Sequence, residues 1–76
     1  MKVVIAKVDK NLYDGAAKSL TVPGASGMMT ILGGHMPLMS TLKPGTIVVH
    51  GEKGVQNFPV ESGVIEVRHD GATIIL

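Results

Sequence analysis

The three histidines come first, because imidazole binds metals and transfers protons near neutral pH. They are His35, His50 and His69. No two of them have the i, i+4 or His-x-His spacing that brings two imidazoles to one ion, and the chain has no cysteine to complete a site. The spacing therefore favours surface or packing histidines over a metal centre.

The carboxylates and hydroxyls also lack the spacing of an active site. The acidic residues lie mostly in turn-like stretches, and no serine stands in a Gly-x-Ser-x-Gly elbow. The glycine-rich VPGASG stretch has no Lys-Ser/Thr ending and no helical pattern after it, so it predicts a turn rather than a phosphate-binding loop. We therefore predict that the chain is not an enzyme and that it uses no cofactor.

Four of the five methionines cluster between residues 26 and 45; they are Met28, Met29, Met36 and Met39. Methionine adapts to irregular partners, and the breakers Gly-Gly-His and Met-Pro predict that much of this stretch is a surface loop. Exposed methionines would then form an apolar docking patch. Ile31, Leu32 and Leu38 are expected in the core.

Length and charge exclude several classes of protein. With 76 residues the chain forms one small domain. Its net charge is +1, its basic residues are scattered, and only Tyr13 and Phe58 are aromatic, so a nucleic-acid interface is not predicted. No run of about 18 apolar residues exists, and Lys7 interrupts the apolar start, which predicts neither a membrane span nor a signal peptide.

The elements that would position these residues are short strands. Seven runs rich in Val, Ile and Thr lie between regularly spaced Gly and Pro; they are KVVIAKV, AAKSLTV, MMTIL, GTIVVH, VQNFPV, VIEVRH and ATIIL. KSLTV and VIEVRH alternate, with Leu20, Val22, Ile65 and Val67 on the apolar side. KVVIAKV and TIVVH are apolar on both faces, which predicts central strands or strands covered by another subunit. An antiparallel sandwich or flattened barrel is predicted.

The turns between these runs carry their own signals. Asp70-Gly71 predicts a hairpin, with GEKG and ESG as slightly longer connections of a similar kind. In KPG, Pro44 followed by Gly45 predicts a type II turn.

The order of motifs resembles the N-terminal β-sandwich domain of the epsilon subunit of F-type ATP synthase. The resemblance extends from about Val4 to Leu76, and four motifs carry it in order: SLTVPG, the Ile-Leu-x-Gly-His-x-Pro-Leu block at 31–38, LKPG at 42–45, and SGVIEV at 62–67. It implies an all-β fold, a flattened antiparallel sandwich of about ten short strands, over residues 1–76. It also implies a central-stalk subunit that has no catalytic residue and links the gamma subunit to the membrane c ring.

The resemblance further implies partners for particular residues. The ring-facing set comprises Ala25, Ser26, Gly27, Met28, Met29 and Met39, and the gamma-facing set comprises Lys7 and His35. The subunit would lie on the cytoplasmic face of a bacterial inner membrane, or its organelle equivalent, attached through the complex without entering the lipid.

Departures from the family pattern sharpen these expectations. Family members commonly carry acidic residues where this chain has Ser26 and Met28, so van der Waals contact is expected to replace Coulombic pairing at the ring. The two-helix C-terminal domain of typical members is absent from this sequence, and we expect no nucleotide binding by this chain.

One alternative from another functional class stays open. Lys53 in HGEKGV occupies a hairpin-like position, as the modified lysine does in lipoyl and biotinyl carrier domains. The residues that flank the modified lysine in those domains are missing here. A free-standing β-sandwich ligand-binding or carrier module is therefore the second hypothesis.

Overall fold

The alternating runs form strands in a computed structural model, which describes residues 1–34 and 36–76. Nine strands lie within these ranges: β1 Lys2–Lys7, β2 Lys10–Ala16, β3 Ser19–Gly24, β4 Gly27–Leu32, β5 Leu38–Leu42, β6 Gly45–Gly51, β7 Gly54–Val60, β8 Gly63–Arg68 and β9 Gly71–Ile75. In the same ranges, no helix has the length and apolar character needed to cross a bilayer.

The strands form one curled sheet in two parts. The five-stranded part has the order β2-β1-β9-β8-β5, and the four-stranded part has the order β4-β3-β6-β7. They join where Gly24 of β3 pairs with Leu42 of β5. At the other side the rings of Tyr13 on β2 and Phe58 on β7 meet edge-on, with centroids 6.2 Å apart. This arrangement confirms the predicted all-β sandwich.

One strand pair departs from the antiparallel prediction. β1 pairs with β9 in parallel, with Lys2 opposite Gly71 and Ala6 opposite Ile75. A parallel neighbour needs a long connection, and here the rest of the sandwich separates the first strand from the last.

Alternation along the strands builds the core. The fully buried side chains come from both parts of the sheet, and the largest are Ile5, Leu20, Ile31, Ile47, Ile65, Ile74, Val3, Val22, Val49 and Val67. The apolar sides predicted for β3 and β8 are therefore confirmed. β1 and β6 each lie between two neighbours, as their two apolar faces predicted, and their outward Val4 and Val48 are half-buried.

Two strands have no counterpart among the predicted runs. β2 contains Asn11, Asp14 and Gly15, which disfavour strands, and it forms because β1 supplies an antiparallel partner over its length. β5 follows the Gly and Pro breakers and forms against β8.

The turn predictions divide into two groups. The β8–β9 hairpin is confirmed, although its loop is His69-Asp70 and Gly71 already belongs to β9; the GEKG hairpin between β6 and β7 is also confirmed. The ESG prediction is wrong, because β7 and β8 belong to different parts of the sheet and do not pair. The type II turn at KPG is wrong as well, because that turn needs a positive φ that Gly45 does not have.

Candidate docking surfaces

The first candidate surface is the loop end of the β3–β4 hairpin. Ala25 and Ser26 connect the strands, Gly24 pairs with Gly27, and Pro23 pairs with Met28. Gly27 has a φ of 129°, which side chains rarely adopt, so this turn favours glycine. Residues 25–28 are called the hairpin tip; they carry no charged side chain, and all four are exposed.

The hairpin tip has a fixed base. Gly24 pairs with Leu42 at the junction of the two parts of the sheet, and the Lys43 amide donates a hydrogen bond to the Pro23 carbonyl over 2.8 Å. Met28 projects from this base with 63% of its surface exposed. A rigid base with an apolar exposed side chain is suited to contact a partner without ordering a loop first.

Met28 and Met29 lie on β4, the strand that the MMTIL run predicted, so neither lies in the surface loop expected for much of the methionine-rich stretch. Successive strand residues point to opposite faces, and Met29 pairs with the buried Val22. Met29 is half-buried against the core, and its Sδ and Cε occupy the space beside Gly24. Met29 therefore packs beneath the hairpin tip on the core side of β4.

The neighbouring apolar residues follow the same rule. Ile31 is buried and Leu38 packs against the core as a half-buried residue, as expected. The core position expected for Leu32 is wrong: it pairs with Ser19 on the outward face of β4 and is 58% exposed. Adjacent residues of a strand cannot both face the core.

The second candidate surface is on the outward face of the five-stranded part. Strand register places Thr41, Val64, Ile75 and Ala6 side by side across β5, β8, β9 and β1, and these four residues are called the apolar row. Ile75 is 53% exposed. Neighbouring cross-strand side chains on one face lie within contact distance, so the row forms a continuous strip that is exposed at Thr41, Val64 and Ile75 and half-buried at Ala6.

A second row, parallel to the apolar row, mixes apolar and charged residues. Register aligns Met39, Glu66, Thr73, Val4 and Asp14 across the same strands and β2. Met39 is exposed here, on the other part of the sheet from the hairpin tip. Met39 therefore lies on β5, the strand next to β3, and not on the β3–β4 hairpin that carries the other residues of the predicted ring-facing set.

Exposed ion pairs border the apolar row on one side. The Arg68 guanidinium donates to Glu66 Oε1 over 3.1 Å and to Thr73 Oγ1 over 3.0 Å, and Lys2 Nζ lies 3.1 Å from Asp14 Oδ1. Pairs this exposed contribute little stability. They give the surface the apolar centre and polar border that protein interfaces have.

The predicted gamma-facing residues are only partly described. Lys7 ends β1 as an exposed residue that directly follows Ala6, and strand alternation starts its side chain on the face opposite to that of Ala6. Along the sheet, β9, β8 and β5 separate Lys7 from the hairpin strand β3. His35 lies outside the described residues. The sequence did not single out Val64 and Ile75 as candidates, because they become neighbours only through the cross-strand register, which a single sequence does not display.

The remaining polar features of the described residues are a groove and an exposed lysine at its rim. An open groove of about 300 Å³ lies between β2 and the β6–β7 hairpin, lined by Tyr13, Ala16 and residues 51–56. The Tyr13 hydroxyl donates to the Ala16 carbonyl over 2.7 Å. Lys53 lies in the hairpin turn, exposed at the rim of this groove. Among the described residues, no three of His, Cys, Asp or Glu gather as a metal site would require.

Known proteins are similar to this chain in sequence and in fold. A family model described as the ATP synthase delta/epsilon chain β-sandwich domain matches residues 1–76. The ATP synthase epsilon chains of Bordetella avium and Bordetella petrii are each 34% identical over 76 residues, which is 99% of this chain and 54% of each relative. The chain thus spans about half the length of the curated relatives it matches.

Two solved assemblies contain chains of the same fold. A chain in the Euglena gracilis mitochondrial ATP synthase structure of OSCP, F1 and c ring gives a TM-score of 0.87 at 21% identity, covering 96% of this chain and 48% of that one. A chain in the Tetrahymena thermophila mitochondrial ATP synthase structure of central stalk and c ring gives 0.82 at 17% identity, covering 99% and 61%. Since the family model spans the chain from end to end, the chain belongs to the family of ATP synthase delta/epsilon chain β-sandwich domains.

Proposed function

We propose that this domain belongs to a central-stalk subunit of a rotary F-type ATP synthase. In this role it joins the gamma subunit to the c ring, so that both rotate together and ion flow stays coupled to ATP synthesis. The subunit is non-catalytic and needs no cofactor. It lies on the cytoplasmic face of a bacterial inner membrane, or its organelle equivalent, and is held there by its protein partners without lipid insertion.

The observation that carries this proposal is the presence of two exposed surfaces with apolar character on different strands of one sandwich. The hairpin tip extends from the junction of the two sheet parts, and the apolar row crosses the outward face of the five-stranded part. A coupling subunit needs two contacts that can be made at once. Family membership and the fold shared with chains of central-stalk and c-ring assemblies support the same role.

We assign the hairpin tip to the c ring. Ala25, Ser26, Gly27 and Met28 form the contact, and Met29 supports it from the core side. Because residues 24–29 contain no ionisable side chain, this contact is made by van der Waals packing and is insensitive to salt.

We assign the apolar row to the gamma subunit. Val64 and Ile75 form its centre, and the ion pairs of Arg68 border it. The gamma contact predicted for Lys7, which follows Ala6 at the end of β1, stays a prediction. Met39, which the sequence placed with the ring contact, belongs with the gamma contact in this assignment because it lies on the same outward face. The contact predicted for His35 stays a prediction.

A pair of matched variants tests the gamma assignment. Ile75→Glu and Val55→Glu each place a carboxylate at an exposed apolar position, 53% and 57% exposed, on different parts of the sheet. Both should fold, because exposed substitutions cost within about 0.5 kcal/mol. Co-purification of the full-length protein with its gamma subunit should fail for Ile75→Glu and persist for Val55→Glu. Equal binding by both variants would refute the assignment.

A further inference from the structure

Three methionines among the described residues are largely exposed to solvent. Met28, Met36 and Met39 have 63%, 79% and 68% of their surface exposed, whereas the Met29 sulfur packs beside Gly24. The sequence contains no cysteine, so these thioethers are its most easily oxidised exposed groups. Two of them, Met28 and Met39, lie on the two candidate docking surfaces.

We propose that Met28 and Met39 are sites of hydroperoxide oxidation, and that their sulfoxides prevent the unassembled chain from docking. The thioether sulfur attacks one oxygen of the peroxide, the O–O bond breaks, and that oxygen is transferred to sulfur. The sulfur loses two electrons, and the peroxide is reduced to water or an alcohol. This inference rests on the proposed function, because it needs both surfaces to bind partners.

The free chain should tolerate both sulfoxides. Both side chains point outward from their strands, so the new oxygen remains hydrated and the core is unchanged. A methionine sulfoxide is polar, whereas the original side chain is flexible and apolar. The modification therefore acts on association and leaves folding intact.

Docking is affected because a partner would bury the sulfoxide oxygen. Met28 lies beside Pro23 in an uncharged hairpin, which offers no side-chain donor within residues 24–29 other than Ser26. Met39 lies opposite Glu66, whose carboxylate cannot donate to the sulfoxide, and the nearby Arg68 guanidinium already donates to Glu66 and Thr73. Burial without a partner hydrogen bond then weakens binding roughly tenfold or more.

The assembled state should protect the same sulfurs. A bound partner covers Met28 or Met39 and keeps peroxide away, so oxidation selects chains that have not yet assembled. Methionine sulfoxide reductases reverse the reaction, which would return such chains to a form that can dock.

The test uses the full-length protein treated with hydrogen peroxide, peptide mapping by mass spectrometry, and binding to the gamma subunit and to the c ring in detergent. Expected results are fast oxidation at Met28, Met36 and Met39, slower oxidation at Met29, and at least about tenfold weaker binding to both partners. Reductase treatment should restore binding.

Leucine variants locate the effect. Each variant is compared with its own untreated sample, so a change in basal binding does not enter the result. Met39→Leu should abolish the peroxide-induced fold-loss of gamma binding, and Met28→Leu should abolish that of ring binding. Met36→Leu, the exposed control, should keep both losses. Undiminished binding by chains oxidised at Met28 and Met39 overturns the inference, as does sensitivity that persists in Met28→Leu and Met39→Leu. If the untreated protein binds neither partner, the proposed function fails instead, and that outcome is visible before any peroxide is added.

Discussion

Met28 and Met29 offer a direct test of how β4 lies on the sandwich. The two residues are adjacent and chemically identical, yet one projects outward from the hairpin tip and the other packs against the core. Replacing each with aspartate should therefore give very different stabilities. The two variants make the same Met→Asp change and differ only in the face of β4 on which the residue lies.

The magnitudes follow from burial. Full burial of a methionine side chain is worth roughly 1.5–3 kcal/mol, so the half-buried Met29 loses about 1 kcal/mol of apolar contact. A carboxylate placed against that apolar wall adds about 1–3 kcal/mol of desolvation. Met29→Asp should thus cost about 2–4 kcal/mol. Met28→Asp should cost within about 0.5 kcal/mol, because its site is exposed.

The assay is thermal unfolding of the 76-residue chain followed by circular dichroism. For a domain of this size, about 1 kcal/mol corresponds to a change in Tm of about 4–8 °C. Met29→Asp should lower Tm by about 10 °C or more, and Met28→Asp by no more than about 4 °C. Met29→Leu, which keeps the volume nearly constant, is the control and should remain close to the wild type. Similar losses in the two aspartate variants would refute the assigned register.

Further predictions concern close backbone approaches, strand faces and surface charge. Gly71→Ala should lower the free energy of unfolding by more than about 2 kcal/mol, because the new Cβ would overlap a backbone carbonyl of β1 where the parallel pair begins. Gly33→Ala is the control and should be nearly neutral, because its Cβ meets nothing closer than 4.0 Å. Urea unfolding compares the two variants. Ile31→Ala should cost about 2–5 kcal/mol and Leu32→Ala less than about 1, and equal losses would contradict the face assignment. Arg68→Ala should change unfolding free energy by at most about 1 kcal/mol, and a larger loss in the same denaturation assay would show that its exposed pairs are stronger than their geometry indicates.

Sequence patterns predicted those parts of this fold that depend only on neighbouring residues, namely the core-facing sides of strands and one hairpin. Leu20 with Val22 and Ile65 with Val67 identified core-facing sides, because a strand repeats every two residues and one face must be apolar. Asp70-Gly71 indicated a hairpin within one residue of its true position. Both signals lie within a few neighbouring residues and need no knowledge of the rest of the chain.

The features that the sequence did not predict depend on pairing between strands that are distant in the chain. β2 is stabilised by β1 despite its polar residues, and β1 and β9 pair in parallel from opposite ends of the chain. The apolar row has the same origin, since Val64 and Ile75 are unremarkable in sequence and become neighbours only through the β8–β9 register. A surface that is formed by residues from several strands is therefore hard to predict from a single sequence.

The segment Met28 to Leu32 shows why a prediction of site residues can fail within a correctly predicted strand. Placing Met28 and Met29 together on a partner surface, and Ile31 and Leu32 together in the core, gives adjacent residues the same face, which an extended strand does not allow. The strand register and the burial show which residues of β4 face the core. Met29 and Ile31 face inward, while Met28 and Leu32 face outward. The outward face of β4 therefore carries apolar residues at both ends of the strand, and only Met28 belongs to the hairpin tip. For this reason Met28, and not Met29, is the methionine to change when the proposed ring contact is tested.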